Sequence, residues 1–225
     1  MPCARPRQAT RAALAALLVV FATVAGLANA RSSPGDIDLH RMGWLPSDTF
    51  GVGQGMPAPT VNAIAALPDG EVWLGTTRGL ARQSGPRMVA EPGPDGVLEG
   101  AILDLVATPD GDLLVATDGH GVWRRRDGQW TSLGAPFGSE RVQRLRSFGH
   151  GNGLRVFAIG HGVAELSGDG WQALPLPAEV RRGEQFDLAL EPAADGRRGA
   201  LWVASYGTGL HRCNDPPGSC TAVPI

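Results

Sequence analysis

PDGEVWLGTTRGLARQSG, at Pro68–Gly85, is followed at Pro109–Gly128 by PDGDLLVATDGHGVWRRRDG, at Gly151–Gly170 by GNGLRVFAIGHGVAELSGDG, and at Ala194–Cys213 by ADGRRGALWVASYGTGLHRC. The glycine that opens the third segment of each copy is Gly79, Gly121, Gly162 and Gly209, at intervals of 42, 41 and 47 residues. A repeat near forty residues, built of short apolar runs separated by turn residues, is the signature of a propeller blade. The expected fold is all-β: a β-propeller of four-stranded antiparallel blades.

The second copy shows the unit. Ile102–Ala107 is an apolar run, and Pro109-Asp110-Gly111 is a tight turn whose last residues accept positive φ. Leu113–Thr117 reads as a buried strand, Asp118–Gly121 as a turn, Val122–Arg126 as a third strand and Gln129–Leu133 as a fourth. The other copies predict Val61–Leu67, Glu71–Thr76, Leu80–Ser84 and a weak Arg87–Ala90; Val142–Phe148, Leu154–Ile159, Val163–Ser167 and Trp171–Leu174; Phe186–Glu191, Ala200–Ser205, Leu210–Cys213 and Thr221–Val223. One such sheet cannot bury both faces, but sheets stacked radially can. Trp73, Leu114, Phe157 and Trp202, at the centres of the second strands, are the expected inter-blade core. Arg124-Arg125-Arg126 reads as a solvated outer strand, and Arg181-Arg182 and Arg197-Arg198 as loop charges.

Of the 225 residues 43% are hydrophobic and 19% charged, a globular balance. Residues 1–30 read as a signal peptide: Arg5, Arg7 and Arg11, then the apolar run Ala12–Leu27, then the A-x-A site Ala28-Asn29-Ala30. The run is shorter than the roughly 20 residues a membrane span needs. Cys3 precedes it and is not placed for lipid attachment. The mature chain, 31–225, keeps twenty-two acidic residues against seventeen arginines and no lysine, so nucleic acid is not an expected partner. In an oxidising compartment, Cys213 and Cys220, which bracket a turn-rich loop, are expected to form a disulfide across a hairpin.

Trp130 and Trp171 stand on fourth strands, twelve and fifteen residues before the next first strand, and Trp44 stands seventeen before Val61. Arg41–Leu45 therefore reads as a lone fourth strand whose three partners do not precede it. The expectation is a partial propeller: four blades plus an orphan N-terminal strand in an incomplete ring, the N-terminal portion of a longer protein or a truncated product. Its open blade edges would favour self-association.

Gly70-Glu71-Val72-Trp73-Leu74-Gly75-Thr76-Thr77-Arg78-Gly79-Leu80-Ala81-Arg82, led in by Gly55-Met56-Pro57 and Val61-Asn62-Ala63-Ile64, resembles the two-component regulator propeller repeat. Asp110-Gly111, Ala116-Thr117 and Gly121-Val122 repeat the pattern, as do Asp195-Gly196, Leu201-Trp202-Val203-Ala204 and Gly209-Leu210. The third copy departs most, with Gly151-Asn152-Gly153 at the turn and Ile159-Gly160 for the Gly-Thr pair. The resemblance implies a periplasmic sensor region from a histidine kinase or diguanylate cyclase architecture. No kinase motif, cyclase motif or second apolar span occurs in these residues, so membrane contact is expected only through the signal segment or a downstream span.

Propellers bind ligands at one end of the central channel, on loops carried by rigid blades. The links between blades and the turns from second to third strand share one end. Arg78, Asp118, His120, His161 and Tyr206 lie in those turns and form a candidate rim for a sugar-like or anionic small molecule, or a peptide; exposed turn residues beside structural glycines are the plainer account. His150 belongs to the opposite end. Two His with no third ligand beyond Asp118 make no metal site, and no cofactor is expected. The chain is read as a binding module, not an enzyme. A lyase or hydrolase of the lactone-opening or antibiotic-cleaving propeller type, and a protein-interaction scaffold, are the alternatives.

Overall fold

In the first three copies an Asp-Gly or related turn reverses the chain after five or six residues, so the first apolar run pairs with its successor. The computed structural model describes residues 48–138, 141–191, 199–214 and 217–224. The signal segment, the Arg41–Leu45 strand, the Asp195-Gly196 turn and Arg197-Arg198 lie outside them. Blade one contains β1 (Val61–Ala66), β2 (Val72–Thr76), β3 (Gly79–Ser84) and β4 (Arg87–Glu91). Blade two contains β5 (Ile102–Ala107), β6 (Leu113–Thr117), β7 (Val122–Arg126) and β8 (Gln129–Gly134). Blade three contains β9 (Arg144–Phe148), β10 (Arg155–Ile159), β11 (Val163–Ser167) and β12 (Gly170–Ala173). Blade four contains β13 (Glu184–Leu190), β14 (Leu201–Tyr206), β15 (Gly209–Cys213) and β16 (Cys220–Ala222). Each sheet runs in chain order and is antiparallel throughout. The innermost strands β1, β5, β9 and β13 follow one another around an axis. Among the described residues the ring is not closed.

The repeat motif has a local physical reason. Thr76 donates its buried hydroxyl to the Gly79 carbonyl (2.8 Å), and Thr117 does the same to Gly121 (2.8 Å). Each threonine thus closes the turn into the third strand. In the third copy the equivalent residue is Gly160, where a Cβ would come within 3.2 Å of the Phe137 ring. That ring, from the link between blades two and three, takes the space the threonine side chain would need. Gly75 serves the opposite purpose: a Cβ there would lie 2.7 Å from Ile102 Cγ2, so glycine lets blade two seat against blade one.

The core is three inter-blade layers. Trp73, Leu80, Leu98, Ile102, Leu113 and Val115 fill the first, and Leu114, Ala116, Val142, Leu145, Val156 and Ala158 the second. Phe157, Ile159, Val163, Leu188, Leu201 and Val203 fill the third. Strand β6 alternates between two layers and is buried at every position. Each Val, Leu, Ile or Phe among them contributes on the order of 1.5–3 kcal/mol by leaving water. Trp202 differs from Trp73, Leu114 and Phe157. It is only half-buried, on the face of β14 turned away from blade three, with the Arg212 guanidinium 5.9 Å from its ring centre. On the outer face of blade one, Phe50 and Met56 of the lead-in pack on Leu74, Ala81 and Met88.

Three expectations are corrected. The fourth strand of blade one is not weak: Arg87–Glu91 pairs along its whole length with β3. The Arg124–Arg126 run is not a solvated outer strand. Arg124 reaches Asp169 of blade three (2.9 Å), Arg125 reaches Glu71 of blade one (3.4 Å), and Arg126 grips Asp112 within its own sheet (2.7 Å). Arg181 belongs to a four-residue helix, α1 (Ala178–Arg181), that inserts Val180 beneath blades three and four. Cys213 and Cys220 are directly paired residues of β15 and β16 and form a disulfide, with Cα atoms 4.0 Å apart.

Candidate functional site

Register decides which loops meet. Val61 pairs with Thr76, Ile102 with Thr117, Arg144 with Ile159 and Glu184 with Tyr206. The start of each inner strand therefore lies beside the end of its second strand, and the inter-blade links share one end with the second-to-third-strand turns. At that end is a cavity of about 590 Å³ lined by Val61, Asn62, Leu103, Arg141, Gln143, Arg144 and Glu184. All four blades or their links contribute to it.

Its polar groups are partly committed. Gln143 donates its amide to the Glu184 carboxylate across the blade three to blade four boundary. Arg141 lies 3.6 Å from the Asp118 carboxylate and also forms a backbone bridge with that residue. Arg144 is exposed and has no ion pair among the described residues. The mouth thus presents the exposed Arg144 guanidinium, within electrostatic reach of Asp104 and Asp187, beside amide and carboxylate groups, an arrangement suited to an anionic or polyhydroxylated ligand.

Below the mouth, the inner strands are stapled in series. Asn62 Nδ2 donates to the Ile102 carbonyl (2.8 Å), tying blade one to blade two. Asp104 sits beside a β-bulge in β5 and accepts the backbone N–H groups of Leu105 and Leu145 (both 2.9 Å), tying blade two to blade three. Arg146 lies 3.4 Å from Asp104 and makes a two-pronged contact with Asp187 of blade four (2.7 and 2.9 Å). Burial pushes the Asp104 carboxyl up, against the pull of its two backbone donors and of Arg146 and Arg144. Asp187 is also penalised by burial, yet hydrogen bonds from Arg146 and from the Leu188 N–H hold its carboxyl below the usual range.

The rim residues are placed at the expected end but do not line the axial cavity. Asp118 reaches it through Arg141. His120 is exposed; its N–H donates to Thr117 Oγ1 (3.0 Å) and its carbonyl accepts from Trp123 Nε1 (3.0 Å). His161 is exposed in the tight Gly160–Gly162 turn, and Tyr206 is 72% exposed. Arg78 borders a different cavity, off the axis in blade one. Among the described residues no group of three His, Cys, Asp or Glu is gathered to hold a metal. Sequence reasoning missed Arg141, Arg144, Gln143 and Glu184. A signal was present: Asp104, Arg144 and Asp187 occupy equivalent places in the first strands of three copies, where an apolar residue would be expected.

No family model matches this chain, and no curated protein does. Solved structures are similar in fold. The extracellular domain of a hybrid two-component system from B. thetaiotaomicron superposes with a TM-score of 0.58 at 17% identity, over 78% of this chain and 26% of that one. A second such domain from that organism gives 0.56 at 14% identity, over 81% and 26%. Virginiamycin B lyase from Staphylococcus aureus gives 0.55 at 14% identity, over 74% and 56%. The chain spans about half the length of the lyase and a quarter of the sensor domains. Sensors and a lyase share this architecture, so what the likeness establishes is the fold: the chain is a β-propeller.

Proposed function

We propose that this chain is an exported, ligand-sensing propeller module of a signalling protein, and that it takes an anionic or sugar-like small molecule at the axial mouth. The observation that carries the reading is the cavity of about 590 Å³ with Arg144 exposed and unpaired among the described residues. Export is supported by the signal-like residues 1–30 and by the Cys213–Cys220 disulfide. A sensing role is supported by the repeat resemblance and by the likeness in fold to extracellular domains of two-component systems. In this reading Arg144 and Arg141 receive the anion, and Asn62, Gln143 and Glu184 meet hydroxyl groups. Asp118, His120, His161 and Tyr206 are the outer contacts of a ligand larger than the cavity. The role is binding, with no turnover.

A thermal-shift screen of the mature chain against glucuronate, citrate, sulfate, neutral sugars and short peptides tests this. Calorimetry on the hits should show Arg144→Gln weakening binding about tenfold, the loss of one charge-assisted hydrogen bond. Hits indifferent to Arg144, or confined to apolar peptides, would move the function away from the axis and toward an interaction scaffold.

A further inference from the structure

Blade one carries a second cavity, of about 190 Å³, at the junction of β3, the end of β4 and the link to blade two. Leu80 and Leu98, 1% and 0% exposed, form its floor and are fixed by the bond from Leu80 N–H to the Leu98 carbonyl (3.0 Å). Pro57 and Pro92 form apolar walls. Gly79 keeps the floor open: a Cβ there would come within 3.3 Å of Pro57 and 3.4 Å of the Leu98 carbonyl.

Three charged side chains border it: Arg78, the half-buried Glu91, and Glu99. Among the described residues none of them has an ion pair or a side-chain hydrogen bond. That contrasts with the cavity at the other end of blades one and two, where Arg125 and Arg126 are already held by Glu71 and Asp112. A half-buried carboxylate and an unengaged guanidinium on the border of one apolar-floored cavity match a ligand that carries both charges on a small apolar body. The volume lies below the roughly 300 Å³ at which drug-sized ligands begin.

We infer that this cavity is a binding site for a free α-amino acid with a branched aliphatic side chain. Arg78 receives the α-carboxylate, Glu91 and Glu99 receive the α-ammonium, and the side chain rests between Pro57 and Pro92 above Leu80 and Leu98. The site is separate from the axial mouth and shares no residue with it.

The experiment is calorimetry of the mature chain with L-leucine, leucinamide and 4-methylpentanoate. Leucine should bind at millimolar or lower concentration, and the two analogues, each lacking one charge, at least tenfold more weakly. Arg78→Gln and Glu91→Gln should each weaken leucine at least tenfold, while Arg87→Gln, at the far end of β4, should not. Methyl spectra of the wild-type protein give an independent reading, because leucine should shift the Leu80 and Leu98 methyls. Absence of leucine binding at millimolar concentration overturns the inference. So does equal binding of the two analogues, or methyl shifts confined to other leucines.

Discussion

Asp104 and Asp187 are placed alike and behave oppositely. The Asp104 carboxyl is pushed above its ordinary value of 3.8 by burial, while Asp187 is drawn below it by Arg146 and the Leu188 N–H after burial has worked against it. For Asp187 the unfolded chain binds the proton more readily. Its ionised form therefore contributes stability that is present above the unfolded value and lost as pH falls through the folded one. For Asp104 the folded chain binds the proton more readily, so acidification toward 3.8 adds stability. Urea midpoints measured against pH should show Asp187→Asn flattening the loss of stability below 3.8. Asp104→Asn should steepen the decline on the way down to it. At neutral pH, Asp104→Ala orphans the Leu105 and Leu145 N–H groups and should cost about 1–3 kcal/mol for each. His120→Ala and His161→Ala, in exposed turns, should stay within about 0.5 kcal/mol. A large loss at either histidine would remove it from the set of outer ligand contacts.

The strands were legible because their boundaries are written in turn chemistry. Asp69-Gly70 and Asp110-Gly111 end runs of apolar residues, and Gly70 and Gly111 adopt φ of 90° and 91°. Strand β4 was harder to read because Arg87 and Glu91 interrupt its apolar pattern, and its pairing with β3 decides the matter. The helix α1 has no periodicity long enough to announce it. The axial mouth was illegible for another reason: Asn62, Arg144 and Glu184 are far apart in the chain and meet only because the blades converge. Two element-scale outcomes follow. Replacing both Cys213 and Cys220 with Ser should lower stability by about 2.5 kcal/mol in the chain-entropy account, with early amide exchange in β16. Gly75→Ala should cost about 1–3 kcal/mol by driving a methyl into Ile102, and Ile102→Ala should relieve part of that cost in the double variant. Additive losses, read from denaturation curves, would show that the two side chains do not compete for one space.

At the scale of the molecule, each blade is stabilised by its neighbours, so stability is a chain of nearest-neighbour terms. Strands β6 and β10, with core on both faces, should exchange their amides most slowly. Phe157→Ala, at the boundary of blades three and four, should cost about 3–5 kcal/mol. Hydrogen exchange should then show β13–β16 opening before the rest, whereas uniform loss of protection would mean the four sheets unfold as one unit. The two outer sheet faces differ in kind. Blade one leaves Ile64 67% exposed beside the Phe50 and Met56 cover, and blade four leaves Trp202 half-covered by Arg212. If these faces drive self-association, sedimentation should show a concentration-dependent species that Ile64→Lys removes.

The inner staples give the copies an address. Four sheets of one design could in principle be shuffled, since each has the same four strands in the same order. Yet Asn62 finds a carbonyl in the following blade, Asp104 finds one amide and a cation in the following blade, and Arg146 finds Asp187 in the one after that. Exchange blades two and three in the gene, and Arg146 would keep one carboxylate, Asp104, in the blade after it but meet Ala63 of blade one on its other side, while Asp104 and Asp187 would stand at one boundary with no arginine between them. The order of the repeats is spelled in charge along the inner wall, so these blades have ceased to be interchangeable parts.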